Sequence, residues 1–331
     1  MMNNPLSRSR SRAYSYTYSL VWKRNAKKYT ISLLRGLLLF GLCFMILQPL
    51  LNKLSISFMS NSDLYDSTVI NIPRTGTLDN YKVVGNLLSY SKALFNSVWL
   101  TALIAVLQTT AATLVGYGFA RFKFPFRRLL FGLVLLTIII PPQTLLTSIY
   151  LNFRYFDIFG LVTIVNGKPI NMLNSIAPYL IMVAGCMGLK SGLYVYMLRQ
   201  FFRGMPKELE EAAYVDGSGA FRTFAVIMLP DALPMLTSCF LFAFVWQWTD
   251  TFYSSLFLRN ITIIPTALGA LAERFAHYYN NVLGFTGIPP AALTQVIIST
   301  GTLLCIGPIL LIYLFAQKGF IESVSQTGIK A

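Results

Sequence analysis

Glu208, Glu210 and Glu211 set three carboxylates within about one helical turn, followed at once by Ala212-Ala213 and then by Gly217. Glu211 opens residues 211–230, EAAYVDGSGAFRTFAVIMLP, a short charged stretch stranded between long apolar runs. Acids in the first turn of a helix lie against the positive end of its dipole. Pro206 fits that same first turn, where its missing N–H costs nothing. Ala212 and Ala213 are strong helix formers with almost no side chain. Gly217 then closes the helix, because glycine most readily takes the left-handed conformation there. Asp216 or Ser218 caps a second short helix, which runs through Phe221, Phe224 and Ile227 to Leu229-Pro230. The chemistry open to such a unit is recognition: a small-residue face enters a cleft and Glu211 offers its carboxylate to a cation there. By composition alone, a plain helix linking two apolar runs would look the same.

Catalysis, by contrast, lacks its usual parts. His277 is the only histidine, so a histidine metal cluster, a Ser-His-Asp triad or a proton relay is hard to assemble. Cys43, Cys186, Cys239 and Cys305 all lie in apolar segments, form no C-x-x-C pair and read as packing residues. The phosphate-cradling pattern G-x-x-x-x-G-K-[ST] does not occur, since Gly167-Lys168-Pro169 lacks both the spacing and the hydroxyl. Any ATP hydrolysis that drives this protein therefore belongs to another chain.

Composition fixes the elements that must hold the charged stretch. The 331 residues are 55% hydrophobic and 12% charged, with a mean hydropathy of +0.59. A soluble domain carries about 25% charge. These values point to an all-α polytopic membrane protein. The net charge of +15 does not indicate a nucleic acid partner, because the basic residues fall in short clusters at the ends of apolar runs. About 20 apolar residues cross the hydrocarbon core as a helix. Six segments qualify: 31–51, 93–117, 129–151, 173–197, 232–258 and 290–316.

The expected organisation is a basic inner arm at 1–30, a first transmembrane helix at 31–51 and an outer segment at 52–92. A five-helix core at 93–316 follows, carrying the inner loop 198–230, and 317–331 forms an inner tail. The arm holds Arg8, Arg10, Arg12, Lys23, Arg24, Lys27 and Lys28 and no acid. The apolar run behind it is too long for a signal-peptide core, so it reads as a retained helix. Segment 52–92 is too short for a core of its own. With the N-terminus inside, Arg121, Lys123, Arg127, Arg128, Arg199, Arg203, Lys207 and Arg222 also fall inside. The inner side then holds a roughly two-fold excess of Lys and Arg, which favours both termini inside.

The pattern E-A-A, three residues, Gly217, nine residues, Ile227, one residue, Leu229-Pro230 resembles the cytoplasmic EAA loop of the membrane-spanning subunits of ABC importers. Gly116-Tyr-Gly-Phe-Ala-Arg-Phe-Lys-Phe-Pro125 resembles a junction of carbohydrate-importer permeases of the maltose-system type. Leu198-Arg-Gln-Phe-Phe202, Met205-Pro-Lys-Glu-Leu-Glu-Glu211, Phe244-Val-Trp-Gln-Trp-Thr-Asp250 and the closing Gln317…Gly328-Ile-Lys-Ala331 resemble further segments of that family. The likeness covers roughly residues 70–331.

That resemblance implies the type I ABC-importer permease fold and the role of second permease in a bacterial inner-membrane importer of sugars or oligosaccharides. It implies ATPase coupling through Glu211, Ala212, Ala213, Asp216, Gly217, Ile227, Leu229 and Pro230. The implied partners are a homologous second permease, two cytoplasmic ATPase subunits, an extracellular sugar-binding protein and membrane lipid. ATP would be bound by the ATPase, leaving this chain without a cofactor. Asp231 and Thr249 depart from the family pattern, as do the length of segment 152–172 and the Ser/Arg-rich arm.

Trp246, Gln247, Trp248 and Asp250 are the candidates for the solute path, since aromatic faces stack on sugar rings and amides or carboxylates bond hydroxyls. A packing role for the two tryptophans is the alternative. Pro141-Pro142 breaks helical bonding at membrane depth, as a hinge or a fixed kink. Ala184, Gly185, Gly188 and Gly192 read as close-packing residues, and Lys190 is an unexplained intramembrane cation. Two rival readings stand beside the sugar permease: an ABC permease for another solute, and a polytopic membrane glycosyltransferase. The glycosyltransferase would need an acid cluster, and the only one lies in the charged loop.

Overall fold

A computed structural model describes residues 5–66, 68–70 and 72–328, which fall into two compact units, 1–76 and 77–331. Among the described residues every regular element is helical, with two isolated backbone bridges, Met59–Gly76 and Phe156–Ile170.

The first unit is built on one helix, Pro5–Ser57. The expected arm and first span are therefore one continuous element, and residue 30 is not a structural boundary. No glycine stands before Gly36, and the helix carries Pro49 within it. Its stretch Lys27–Ser57 is long and apolar enough to cross a membrane. The loop behind it is pinned by Asp63, whose buried carboxylate accepts the N–H and the hydroxyl of Thr75, both at 2.9 Å.

The second unit is arranged around the helix Tyr90–Arg121. One of its faces is lined by Ala93, Ser97, Thr101, Ala105, Gln108, Ala112 and Gly116, all buried and spaced three or four residues apart. Apart from Gln108, these residues are small enough to let neighbouring backbones come close. Helices Ser191–Gly204 and Leu233–Trp248 pack there. A Cβ on Gly116 would lie 3.0 Å from the Cβ of Leu198 and 3.1 Å from the N of Arg199. The buried amide of Gln108 donates to the Leu189 carbonyl at 2.6 Å and the Ser191 hydroxyl at 2.9 Å. Gly188 and Gly192 serve close approach too: a Cβ on either would stand 2.9 Å from Val183 Cγ2 or the Val134 carbonyl, respectively.

Helices Tyr90–Arg121 and Ala291–Phe315 are also long and apolar enough to span, which makes three among the described residues. Two bent pairs raise the number to five if each counts as one span: Arg127–Ile139 with Pro142–Arg154, bent by 101°, and Ala220–Asp231 with Leu233–Trp248, bent by 75°. The first bend falls at Pro141-Pro142, where prolines remove the N–H groups that would continue the ladder. The expected fourth span, 173–197, is interrupted. Helix Ala177–Ala184 ends, Cys186 and Lys190 take left-handed backbone angles, and Ser191–Gly204 starts afresh. The last helix, Ala291–Gly328, continues through most of the expected tail. Residues 329–331 and 1–4 lie outside the described residues.

The approach at Gly116 yields a test. Gly116→Leu should lower stability by roughly 1–3 kcal/mol, the usual penalty for overpacking a tight contact. Gly118→Ala, with open space around it, should leave the thermal melting temperature of the detergent-solubilised protein unchanged or slightly raised.

Candidate functional site

The charged loop is a helix–turn–helix built almost as its residues dictate. Glu208, Glu210 and Glu211 occupy the first turn of helix Glu208–Val215. Pro206 stands ahead of that helix rather than in its first turn, because the helix begins after Lys207. Its position instead stops the preceding helix, Ser191–Gly204, from running on. Gly217, at φ +79°, closes the helix: its N–H donates to Tyr214 O at 3.1 Å and the Ser218 N–H donates to Ala213 O at 2.9 Å. This pair of bonds satisfies carbonyls that a helix end leaves free.

Neither Asp216 nor Ser218 caps the next helix, Ala220–Thr223, which starts after Gly219 without a side-chain cap. Phe224–Met228 then forms one wide π turn, with the Leu229 N–H donating to Phe224 O. The turn buries Phe224 and Met228, leaves Ile227 and Leu229 half-buried, and exposes Pro230.

What anchors this loop is Glu210. Tyr117 donates its hydroxyl to Glu210 Oε1 at 2.9 Å, and Arg121 Nε lies 3.4 Å from the same oxygen. Arg121 Nη2 also donates to the Met205 carbonyl at 2.9 Å, just before the helix. Both charged side chains are about nine-tenths buried, at 8% and 11% exposure. The Tyr117 ring packs on Phe122, Phe202 and Phe224, with centroids 5.6, 5.3 and 4.6 Å away. One tyrosine thus joins the end of the long helix, the Ser191–Gly204 helix and the second half of the loop.

Sequence reasoning selects Glu211 and passes over Glu210, Tyr117 and Arg121. A usable signal is there: Tyr117 and Arg121 are four residues apart on a helix, so they share a face. Glu211 and Ala212 are exposed, whereas Ala213 is buried. Beside them Val215 is 87% and Phe221 80% exposed, and Asp216 and Gly217 are exposed too.

The four solute-path candidates separate. Gln247 is buried and donates to the Tyr179 hydroxyl at 2.9 Å. Trp248 is buried and donates its indole N–H to the Cys305 carbonyl at 3.1 Å. Asp250 is buried and accepts the Tyr179 hydroxyl, the Ser254 hydroxyl at 2.9 Å, and the N–H groups of Phe252, Tyr253 and Ser254 at 3.0–3.2 Å. Its carboxylate thereby caps helix Phe252–Phe257. Trp246 alone keeps an exposed face, with Lys190 Nζ 5.1 Å from its ring centroid, within reach of a cation–π attraction. Among the described residues no group of three or more His, Cys, Asp or Glu could hold a metal ion.

The model of the family described as "Binding-protein-dependent transport system inner membrane component" matches residues 108–320, which include the whole loop, its anchor and Trp246. The chain belongs to this family. It is accordingly a multi-pass membrane protein and a transport permease rather than an enzyme. Among its relatives is the arabinooligosaccharides transport system permease protein AraQ of Halalkalibacterium halodurans, 28% identical over 310 residues, covering 92% of this chain and 99% of that one. Another is the trehalose transport system permease protein SugB of Mycobacterium tuberculosis, 26% identical over 284 residues, covering 86% and 92%. A crystal structure of a bacterial ABC transporter involved in import of the acidic polysaccharide alginate contains a chain of like fold. Its TM-score is 0.66 at 18% identity, covering 87% of this chain and 95% of that one.

Glu210→Ala, which leaves Arg121 buried without its partner, should cost about 3–5 kcal/mol of stability. Glu211→Ala, one residue away but exposed, should cost less than about 0.5 kcal/mol. Thermal denaturation of the two purified variants reads the difference.

Proposed function

We propose that this chain is the second permease of an ATP-driven importer of sugars or oligosaccharides, of the maltose-system type. In this reading it crosses the membrane six times with both termini in the cytoplasm. The bent pairs each count as one span, and Ala177–Ala184 with the start of Ser191–Gly204 carries the fourth. It pairs with a homologous permease, receives solute from an extracellular sugar-binding protein and docks on two ATPase subunits that bind the ATP. Membrane lipid surrounds it, and no nucleic acid takes part.

The observation that carries the reading is the division of the charged loop into an anchored face and a bare one. Glu211, Ala212, Val215 and Phe221 are exposed together, while Glu210 and Ala213 are turned inwards. ATPase closure would push on the bare face. Asp216, Gly217, Ile227, Leu229 and Pro230 would hold the turn and its exit in shape. The buried Glu210–Arg121 contact would pass the push to the Tyr90–Arg121 helix as a rigid movement. The cavity between the paired permeases would then open alternately to either side.

A carbohydrate cargo is supported by the names of the relatives above, which are permeases for arabinooligosaccharides and trehalose. Of the four path residues, Trp246, which keeps an exposed face, would be the one to meet a sugar ring directly. Gln247, Trp248 and Asp250 would act by fixing the helix that presents it.

The test is ATP-dependent uptake of labelled sugars by the assembled importer. Glu211→Ala and Gly217→Val should each lower uptake by about tenfold or more, a coupling free energy of about 1.4 kcal/mol, while the complex still reaches the membrane. Uptake equal to wild type in both variants would reduce the loop to a linker.

A further inference from the structure

A cavity of about 750 Å³ opens beside the charged loop, and its charged lining is entirely basic: Lys123, Arg127, Arg128, Arg199 and Arg203. Arg199 and Arg203 come from the last turns of Ser191–Gly204. The other three sit where the long helix gives way to Arg127–Ile139. Arg199 is held in place by the Phe131 ring, with its guanidinium carbon 3.8 Å from the centroid. Arg127 Nη1 donates to the Phe122 carbonyl at 3.0 Å. Arg199 Nε is buried and has no hydrogen-bond partner.

Among the described residues none of the five cations lies within ion-pair distance of a carboxylate. Glu210 and Glu211 line the adjoining cavity with Lys123, Arg127 and Arg203, and Glu210 is taken by Arg121. Arg199 lies past the end of the fourth span, and burial, followed by the charges of Arg203 and Arg127, pushes its guanidinium below the ordinary pKa. Cations this crowded, with no carboxylate at ion-pair distance, make a favourable place for an anion.

The surroundings select the kind of anion. Helix Arg127–Ile139 has no buried residue, and Leu129, Leu130, Leu133 and Leu136 are exposed along it, starting at the rim of the cavity. A soluble phosphate would use the cavity and leave this apolar wall idle. A phospholipid uses both. We propose that the cavity binds the phosphate of an anionic phospholipid headgroup, with its acyl chains along the Arg127–Ile139 helix. Arginine forks suit phosphate oxygens, and basic pockets between spans suit acidic headgroups. Lys123, Arg127 and Arg203 also line the cavity next to Glu211, so the headgroup touches the edge of the charged loop. The inference does not depend on which solute the permease carries.

The test is native mass spectrometry of the complex purified from membranes, after exchange into phosphatidylglycerol or phosphatidylcholine. Wild type should retain phosphatidylglycerol selectively. Retention should fall about fivefold per arginine in Arg199→Gln/Arg203→Gln, matching about 1 kcal/mol per basic residue at a membrane surface. Arg199→Lys/Arg203→Lys keeps the charge that sets orientation but loses the fork, and should retain less than wild type. If the Gln variant fails to insert, the wild-type and Lys results decide. Equal retention of both lipids overturns the proposal. So does displacement of the lipid by millimolar inorganic phosphate, which would make the site one for a soluble anion. Cross-linking of a cysteine at Phe126 to a partner subunit would show the cavity to be covered by protein and would overturn it equally.

Discussion

Among the described residues one ion pair is buried on both sides, Arg121–Glu210, while Arg74–Asp66 and Lys82–Asp79 lie in water. A buried pair costs much of its attraction in lost hydration, so it is weak evidence for stability and better evidence for position. Here it fixes two distant stretches of chain to each other. Tyr117 adds a hydroxyl to the same carboxylate oxygen and a ring to the aromatic cluster of Phe202 and Phe224. Arg121 adds a bond to the Met205 carbonyl at the point where the chain turns into the charged loop. Removing Glu210 strands an arginine in a dry site. The loop cannot leave the long helix without that cost.

From this anchor the two faces of the Glu208–Val215 helix follow. With 3.6 residues per turn, turning Glu210 and Ala213 inwards brings Glu211, Ala212 and Val215 out to solvent. The small side chain of Ala212 makes a shallow, negatively edged surface, and Val215 and Phe221 add apolar area that the chain itself does not cover. One face of this short helix thus anchors the loop, and the adjacent face, proposed above to dock on the ATPase, stays bare. Gly217 gives the turn its left-handed corner, so the two halves of the loop meet at a fixed angle.

Much of this is legible in the residues. The apolar runs specify the all-α membrane class, and Gly217 and the first-turn acids stand where local chemistry puts them. Other features depend on contacts far apart in sequence. That Glu210 rather than Glu211 is inside is decided by Tyr117 and Arg121, some ninety residues earlier. Asp250 reads as a group aimed at solute, yet it spends its oxygens on the N–H groups of Phe252–Ser254 and on Tyr179. Hydropathy counts apolar residues but does not see backbone angles. Segment 173–197 therefore reads as unbroken, although left-handed Cys186 and Lys190 divide it, whereas Pro141-Pro142 announces the bend in segment 129–151 from sequence. Pro206 reads as a first-turn residue because a proline looks the same just before a helix as inside its start.

On this basis the charged loop and the long helix should move as one body. Spin labels on cysteines placed at Leu114 and Ala212, both exposed, in a background lacking the four native cysteines, measure it directly in the assembled transporter. The distance between them should stay the same in the nucleotide-free and ATP-bound states, while a label pair from Ala212 to the ATPase changes. A shift of about 5 Å between Leu114 and Ala212, one helical turn, would contradict the account and make the Glu210–Arg121 contact a joint rather than a tie.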